Sequence, residues 1–226
     1  MIWAVILAAG ESRRMGTQKL LLPFGETTIV GAVVGTAAAA RVGGTMVVLG
    51  ADRDAIRAEL TSLAGRHVPG PRVPSTRDQS ANRPGVPSLP DERASKIAFA
   101  VNDHYQMGML TSIQAGLRAL PAGATAAVVM LGDQPFLRAP VVDTVIAAFE
   151  TGGRGIVIPA FQGRRGHPVL IDLKYRDEIL AIEPLEGLRA LMRAHPDDIL
   201  EVEAADPNIL RDLDTPEDYT GLPKPN

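Results

Sequence analysis

Five ionisable side chains have types and settings that could do chemistry: Arg14, Lys19 and Asp133 in loops that follow apolar runs, and Asp212 and Asp214 together near the C-terminal end. Two cations and three carboxylates of this kind suit the handling of a polyphosphate. Arg and Lys neutralise phosphate oxygens, and one or two carboxylates hold the Mg²⁺ that phosphates usually bring with them. The cations belong to the stretch from Val5 to Pro23. Here an apolar run, Ile2 to Ala9, stops at Gly10, and a polar loop carries Ser12, Arg13, Arg14 and Lys19 before apolar character returns. Glycines in such a loop let backbone N–H groups approach a phosphate closely. Read only as Gly, Arg and Lys, the loop is either a phosphate site or an ordinary surface turn. It is not a P-loop, because Lys19 trails Gly16 by Thr17 and Gln18, and the dinucleotide pattern G-x-G-x-x-G is absent. Arg13 is expected to face solvent.

Asp133 follows the apolar run Ala126 to Leu131 within Gly132-Asp133-Gln134-Pro135. It is a candidate metal carboxylate; an isolated Gly-Asp pair is equally a turn or a helix cap. Asp212 and Asp214 are two apart, so in an extended segment their carboxylates face one side. Thr215-Pro216-Glu217-Asp218 after them has the form of a helix start, and capping alone explains part of that acidic cluster. Gly108 to Ser112 reads as a loop–helix junction whose free N–H groups can meet a ligand. Asn102 reads as turn chemistry. His167, between Gly166 and Pro168, has a recognisable setting that is usually structural; His67, His104 and His195 have none. The chain has no cysteine, no G-x-S-x-G and no H-E-x-x-H, so no protein nucleophile is expected.

These groups need a scaffold. A length of 226 residues suffices for one sizeable α/β domain spanning 1–226, and nothing demands two. Hydrophobic content of 46% with only 4% aromatic requires a core of Ala, Val, Leu and Ile, as layered α/β folds permit. A formal net charge of -3 argues against nucleic acid or a membrane surface as partner. The absence of cysteine excludes disulfides and cysteine-ligated clusters. The N-terminal apolar run lacks a basic leader and is short, so it reads as a strand, and a cytoplasmic location is the default. Strands are expected at Ile2 to Ala9, Thr45 to Leu49, Ile97 to Val101, Ala126 to Leu131, Gly155 to Pro159, Val169 to Leu173 (antiparallel) and Ile199 to Val202. Helices are expected from Ile29 to Ala40, through Leu63 from an Asp52 cap, from Gly108 to Leu120, and from Pro140 to Glu150. Further helical segments are expected near Tyr175 to Ile182 and Leu188 to Ala194. Gly163-Arg164-Arg165-Gly166 reads as a glycine-bounded turn. The alternation implies a mostly parallel sheet with right-handed crossovers. Residues 65–93, rich in proline, show no period and read as a flexible insertion: a mobile surface loop, or a lid or partner-docking loop near the substrate mouth.

The ordered string L-A-A-G-x-S-x-R-M-G-x-x-K-x-L-L-P, from Leu7 to Pro23, resembles the signature of the MobA/MocA-like nucleotidyltransferases, the family of molybdenum-cofactor cytidylyltransferase and its guanylyltransferase counterpart. Leu131-Gly132-Asp133-Gln134-Pro135, Gly108-Met109 with Ser112, Gly166-His167-Pro168 and D-x-D-T-P-E-D-Y from Asp212 to Tyr219 match further family segments in order. The resemblance implies a three-layer α/β/α sandwich, a Rossmann-like sheet of the nucleotide-diphospho-sugar transferase kind. It also implies nucleotide binding by Leu7, Ala8, Ala9, Gly10, Ser12, Arg14, Met15, Gly16, Lys19, Gly108 and Ser112, with Arg14, Lys19 and Asp133 catalytic. Asp133 and Asp214 (Asp212 as the substitute) would hold Mg²⁺. Gln134, His167 and Arg189 would line the acceptor side. Ala9 and Gln134 point to the cytidylyltransferase branch, hence to CTP and molybdopterin as substrates, and to a transient contact with a molybdoenzyme or its chaperone. Two departures stand out: the insertion, and Pro184-Leu185-Glu186-Gly187-Leu188-Arg189 in place of G-D-x-G-A-R. Both leave open another phosphorylated acceptor such as a sugar phosphate, or a non-catalytic nucleotide-binding protein that delivers cofactor.

Overall fold

A computed structural model describes residues 1–64 and 96–220, so the insertion expected at 65–93 lies outside the described residues. Strand β1 (Ile2–Ala8) runs into the glycine loop, which contains single helical turns at Arg13–Met15 and Lys19–Leu21. A small hairpin of β2 (Pro23–Phe24) and β3 (Thr27–Thr28) leads to α1 (Ile29–Ala39), then β4 (Thr45–Leu49) and α2 (Arg53–Ala64). Next come β5 (Ile97–Val101), a turn at Tyr105–Met107, α3 (Met109–Ala119), β6 (Ala126–Leu131) and α4 (Ala139–Gly152). Strands β7 (Ile156–Phe161), β8 (Arg164–Arg165) and β9 (Val169–Asp172) precede α5 (Arg176–Ala181) and α6 (Arg189–Ala194). Strand β10 (Ile199–Glu203) and α7 (Pro216–Thr220) close the described chain.

The main sheet has the order β10-β7-β9-β6-β1-β4-β5, with β8 paired to β7. Strands β6, β1, β4 and β5 run parallel, as do β10 and β7, while β9 lies antiparallel between β6 and β7. The period of two along each strand divides the core cleanly. Ala4, Ile6, Val47, Val128, Val157 and Leu170 meet α1, α2 and α4 on one face. Trp3, Val5, Val48, Val129, Ile156 and Ile171 meet α3, α5 and α6 on the other. This is the three-layer sandwich that near-continuous apolar strands require, because both sheet faces are covered. Each fully buried Val, Leu or Ile contributes about 1.5–3 kcal/mol of burial. Among the described residues, no helix is long and apolar enough to cross a membrane.

Two local expectations are corrected. Arg164 and Arg165 are not the turn but a strand, β8, and the chain reverses one step earlier at Gln162 and Gly163, whose φ values are 51° and 75°. A two-residue hairpin needs positive φ at its centre to match strand twist, and that placement frees both arginines to pair with β7. Asp52 does open α2, since its carbonyl accepts the Ile56 N–H at 3.1 Å. Its carboxylate, however, does not cap the helix; it accepts a bond from Gln18 at 3.0 Å.

Candidate active site

Strands β1 and β6 are parallel neighbours, so the loops after Ala8 and Leu131 leave the same sheet edge side by side. Crevices at the carboxyl ends of parallel strands are where open α/β sheets hold ligands. The second loop is drawn tightly against the first strand: Gly132 N–H donates to the Leu7 carbonyl at 3.0 Å. A Cβ at Gly132 would stand 2.7 Å from that same oxygen, so glycine is required there. Asp133 follows at once, and its carbonyl accepts the N–H of Leu213, a fully buried residue from the C-terminal segment. Leu213 therefore brings Asp214 to the same place.

The result is a centre of three charges. Lys19 Nζ lies 2.7 Å from an Asp133 carboxylate oxygen and 2.8 Å from one of Asp214. Arg14 reaches Asp214 from outside at 3.1 Å. The Lys19 side chain is only 12% exposed, against 23% for Asp133 and 43% for Asp214. Burial opposes the Lys19 charge, but the Asp133 and Asp214 carboxylates override it and raise its pKa above the ordinary lysine value. The hydrogen bond from Lys19 holds Asp214 below the ordinary carboxylate value. Asp212 is pushed the other way, by burial and then by the negative charges of Asp133 and Asp214. Three acids thus crowd one lysine, and the two that it touches are Asp133 and Asp214.

The glycine loop is built around left-handed backbone at Ser12 (φ 52°) and Gly16 (φ 65°). The Ser12 hydroxyl donates to Gln18 and accepts the Lys19 backbone N–H, so it braces the loop from inside. Ala8 and Ala9 are buried, Ala9 against Gly50, while Gly10 is exposed at the rim and Leu7 and Met15 are half-buried. Arg13 is exposed and pairs with Glu11. At the start of α3, Gly108 takes a φ of 114° and Ser112 is buried, its hydroxyl accepting from Asn102 Nδ2 at 2.9 Å. Asn102 also donates to Thr111 at 2.8 Å and accepts the His104 N–H at 2.9 Å, which fastens the end of β5 to the first turn of α3. The sequence pattern identified Asn102 as turn chemistry and could not show this reach.

His167 is held by its backbone N–H on the Ile209 carbonyl at 3.0 Å. Burial disfavours its charged form and lowers its pKa, while the Asp133 charge pulls upward. Gln134 is buried, with its side-chain oxygen unpaired among the described residues. Arg189 begins α6 on the exposed surface, and no contact among the described residues joins it to the acids. Gln18 is the residue that sequence reasoning missed. It sits between Gly16 and Lys19 with no motif to distinguish it, and its role comes only from partners distant in sequence.

A Rossmann-like sheet whose basic glycine loop faces converging carboxylates is the architecture of a nucleotidyltransferase. Residues 4–199 match the MobA-like NTP transferase domain, and the chain belongs to that family. The match takes in Lys19 and Asp133 and stops short of Asp214. The chain is 29% identical over 217 residues to the purine catabolism protein PucB of Bacillus subtilis, covering 95% of this chain and 92% of that one. It is 26% identical over 216 residues to the molybdenum cofactor cytidylyltransferase of Escherichia coli, again covering 95% and 92%. A nucleotidyl transferase from Methanothermobacter shares the fold, with a TM-score of 0.71 at 22% identity, covering 97% of this chain and 94% of that one.

Proposed function

We propose that this chain transfers a cytidylyl group from CTP to a phosphorylated acceptor, molybdopterin, and releases pyrophosphate. The observation that carries the reading is the convergence of Lys19, Asp133 and Asp214 beside the glycine loop. Ala9 and Gln134, and the similarity to the Escherichia coli cytidylyltransferase, favour the cytidine nucleotide and this acceptor.

The acceptor is its own nucleophile. The second ionisation of a phosphate monoester lies near pH ~6, so at neutral pH its oxygens are anionic without a protein base. One such oxygen forms the new bond to the α-phosphorus as the bond from that phosphorus to the bridging oxygen breaks, and the electron pair leaves with pyrophosphate. The protein aligns the two phosphates and neutralises charge. Lys19 and Arg14 meet the oxygens of the triphosphate, and the amides of the glycine loop add partial positive charge. His167 borders the acceptor and takes no proton.

Asp133 and Asp214 fit magnesium. Both present an oxygen within 2.8 Å of one ammonium nitrogen, so they converge on a single cationic point. Among the described residues no group of three His, Cys, Asp or Glu forms a closed cage. Two carboxylates, completed by phosphate oxygens and water, are the usual protein share of a magnesium–nucleotide site. When bound, the ion would polarise phosphoryl oxygens as a Lewis acid.

The test is pyrophosphate release from each of the four nucleoside triphosphates, with molybdopterin, with a sugar phosphate and with no acceptor. Turnover confined to CTP with molybdopterin is the expected result. Turnover with a sugar phosphate alone would reassign the acceptor, and binding without turnover would leave a delivery protein.

A further inference from the structure

The loop that presents Lys19 is tied together by a side chain for which the proposed chemistry has no use. Gln18 Oε1 accepts from the Ser12 hydroxyl at 2.9 Å and from the Leu20 backbone N–H at 3.4 Å. Its Nε2 donates to the Gly10 carbonyl at 3.2 Å and to the Asp52 carboxylate at 3.0 Å. The Ser12 hydroxyl then accepts the Lys19 backbone N–H at 3.1 Å. A single amide therefore joins the beginning, middle and end of the loop, and fastens all three to Asp52 at the start of α2.

The backbone on both sides of this amide is strained. Ser12 (φ 52°) and Asp52 (φ 49°), both partners of Gln18, are two of the three non-glycine residues with positive φ among the described residues. Conformations of that kind persist only where surrounding contacts over-determine them. Here those contacts include the Gln18 bonds to Ser12 and Asp52, together with the Ser12 carbonyl that accepts the Met15 N–H and the Asp52 carbonyl that starts α2. The bond to Asp52 is charge-assisted and so among the stronger of the set.

We infer that Gln18 is a positioning residue: its amide, anchored by Asp52, sets the Gly10–Lys19 loop so that the Lys19 ammonium reaches Asp133 and Asp214. Gln18 touches neither acid. Its effect on turnover rests on the transfer reading above, and its effect on the loop does not. Leu20 is buried, so the chain beyond Lys19 stays anchored without Gln18; what is lost is the register of residues 10–19.

The experiment uses the full chain and the variants Gln18→Ala, Asp52→Ala, Asp52→Asn and the double alanine. Two quantities are read: amide hydrogen exchange at Ser12 to Leu20, and kcat and KM for pyrophosphate release. Exchange in the loop is expected to rise about tenfold in Gln18→Ala with the rest of the sheet unmoved, because the loss is a local opening. Turnover should fall roughly ten- to hundredfold in kcat, with KM changing less, since misplacing a charged group by about 1 Å has costs of that order. The double alanine should be no worse than Gln18→Ala within about twofold, as residues in one network are not additive. Asp52→Asn keeps an acceptor oxygen and loses only the charge assistance, so it should stay nearer wild type than Gln18→Ala, which preserves the test if Asp52→Ala does not fold. Unchanged loop exchange in Gln18→Ala, additive losses in the double variant, or fast exchange in Asp52→Asn would each overturn the proposal. If the wild-type chain releases no pyrophosphate yet the loop still loosens in Gln18→Ala, the brace stands and the transfer reading falls.

Discussion

Lys19 between two carboxylates gives the site an ionisation pattern that spans neutral pH. Its raised pKa means that the stability it contributes is complete below the ordinary lysine value and is lost as pH climbs through the folded value. The lowered pKa of Asp214 has the opposite sign: its contribution is complete above the ordinary carboxylate value and is lost as pH falls through the folded one. Between pH ~5 and ~9 both are flat. Thermal denaturation of Asp214→Asn should therefore show a constant offset from wild type across that window, and a sloping difference would contradict the assignment. For catalysis, Lys19→Ala removes the half-buried cation and leaves two acids facing each other. A loss of about 10²–10³ in kcat is expected, the usual cost of removing one pre-positioned charge-stabilising group. Burial disfavours the charged form of His167, and the proposed transfer needs no protein base, so His167→Gln should leave the pH profile of kcat/KM in place. The acid limb, near pH ~6, should belong to the acceptor phosphate. A limb that moves with His167→Gln would make that residue a proton carrier.

At the scale of elements, the site depends on how closely two loops and a strand approach. A methyl at Gly132 would lie 2.7 Å from the Leu7 carbonyl oxygen, a backbone atom that moves only if β1 moves. Gly132→Ala should accordingly cost roughly 1–3 kcal/mol in chemical denaturation and weaken turnover together with stability. A fully stable Gly132→Ala would mean that the β6 loop has room to spare. The elements themselves were readable from the chain. Val128, Val129 and Met130, or Met46 to Leu49, are continuous apolar runs because both faces of a parallel sheet are covered. The antiparallel return at Val169 was legible for a related reason, a short apolar run soon after a turn. What failed was side-chain choice where two chemistries compete. Asp52 looked like a helix cap and binds Gln18 instead. Gly163 to Gly166 looked like one turn, whereas Gln162 takes the left-handed position that allows Arg164 and Arg165 to pair. Neither preference can be decided from local sequence, since the winning partner lies tens of residues away or in the twist of a neighbouring strand.

Taken as a whole, the molecule brings together residues separated by 114 and 195 positions along the chain. Each loop carried its own signature, so Lys19, Asp133 and Asp214 could be named in advance. The resemblance also implied that they meet; what it could not give is the means, the placing of β1 beside β6 and a buried Leu213 that docks the C-terminal segment on Asp133. The acceptor side stayed less legible, with Arg189 exposed at the head of α6 and Gln134 buried with an unpaired oxygen. The central claim is that these three charges act on one triphosphate. It is tested most directly by steady-state pyrophosphate release from CTP and molybdopterin by wild-type chain, Asp133→Asn and Asp214→Asn in the presence of Mg²⁺. Both substitutions keep the shape of the side chain and remove its charge. The account predicts turnover by the wild type and a loss of about a hundredfold or more in each variant. Full turnover by either variant would contradict it.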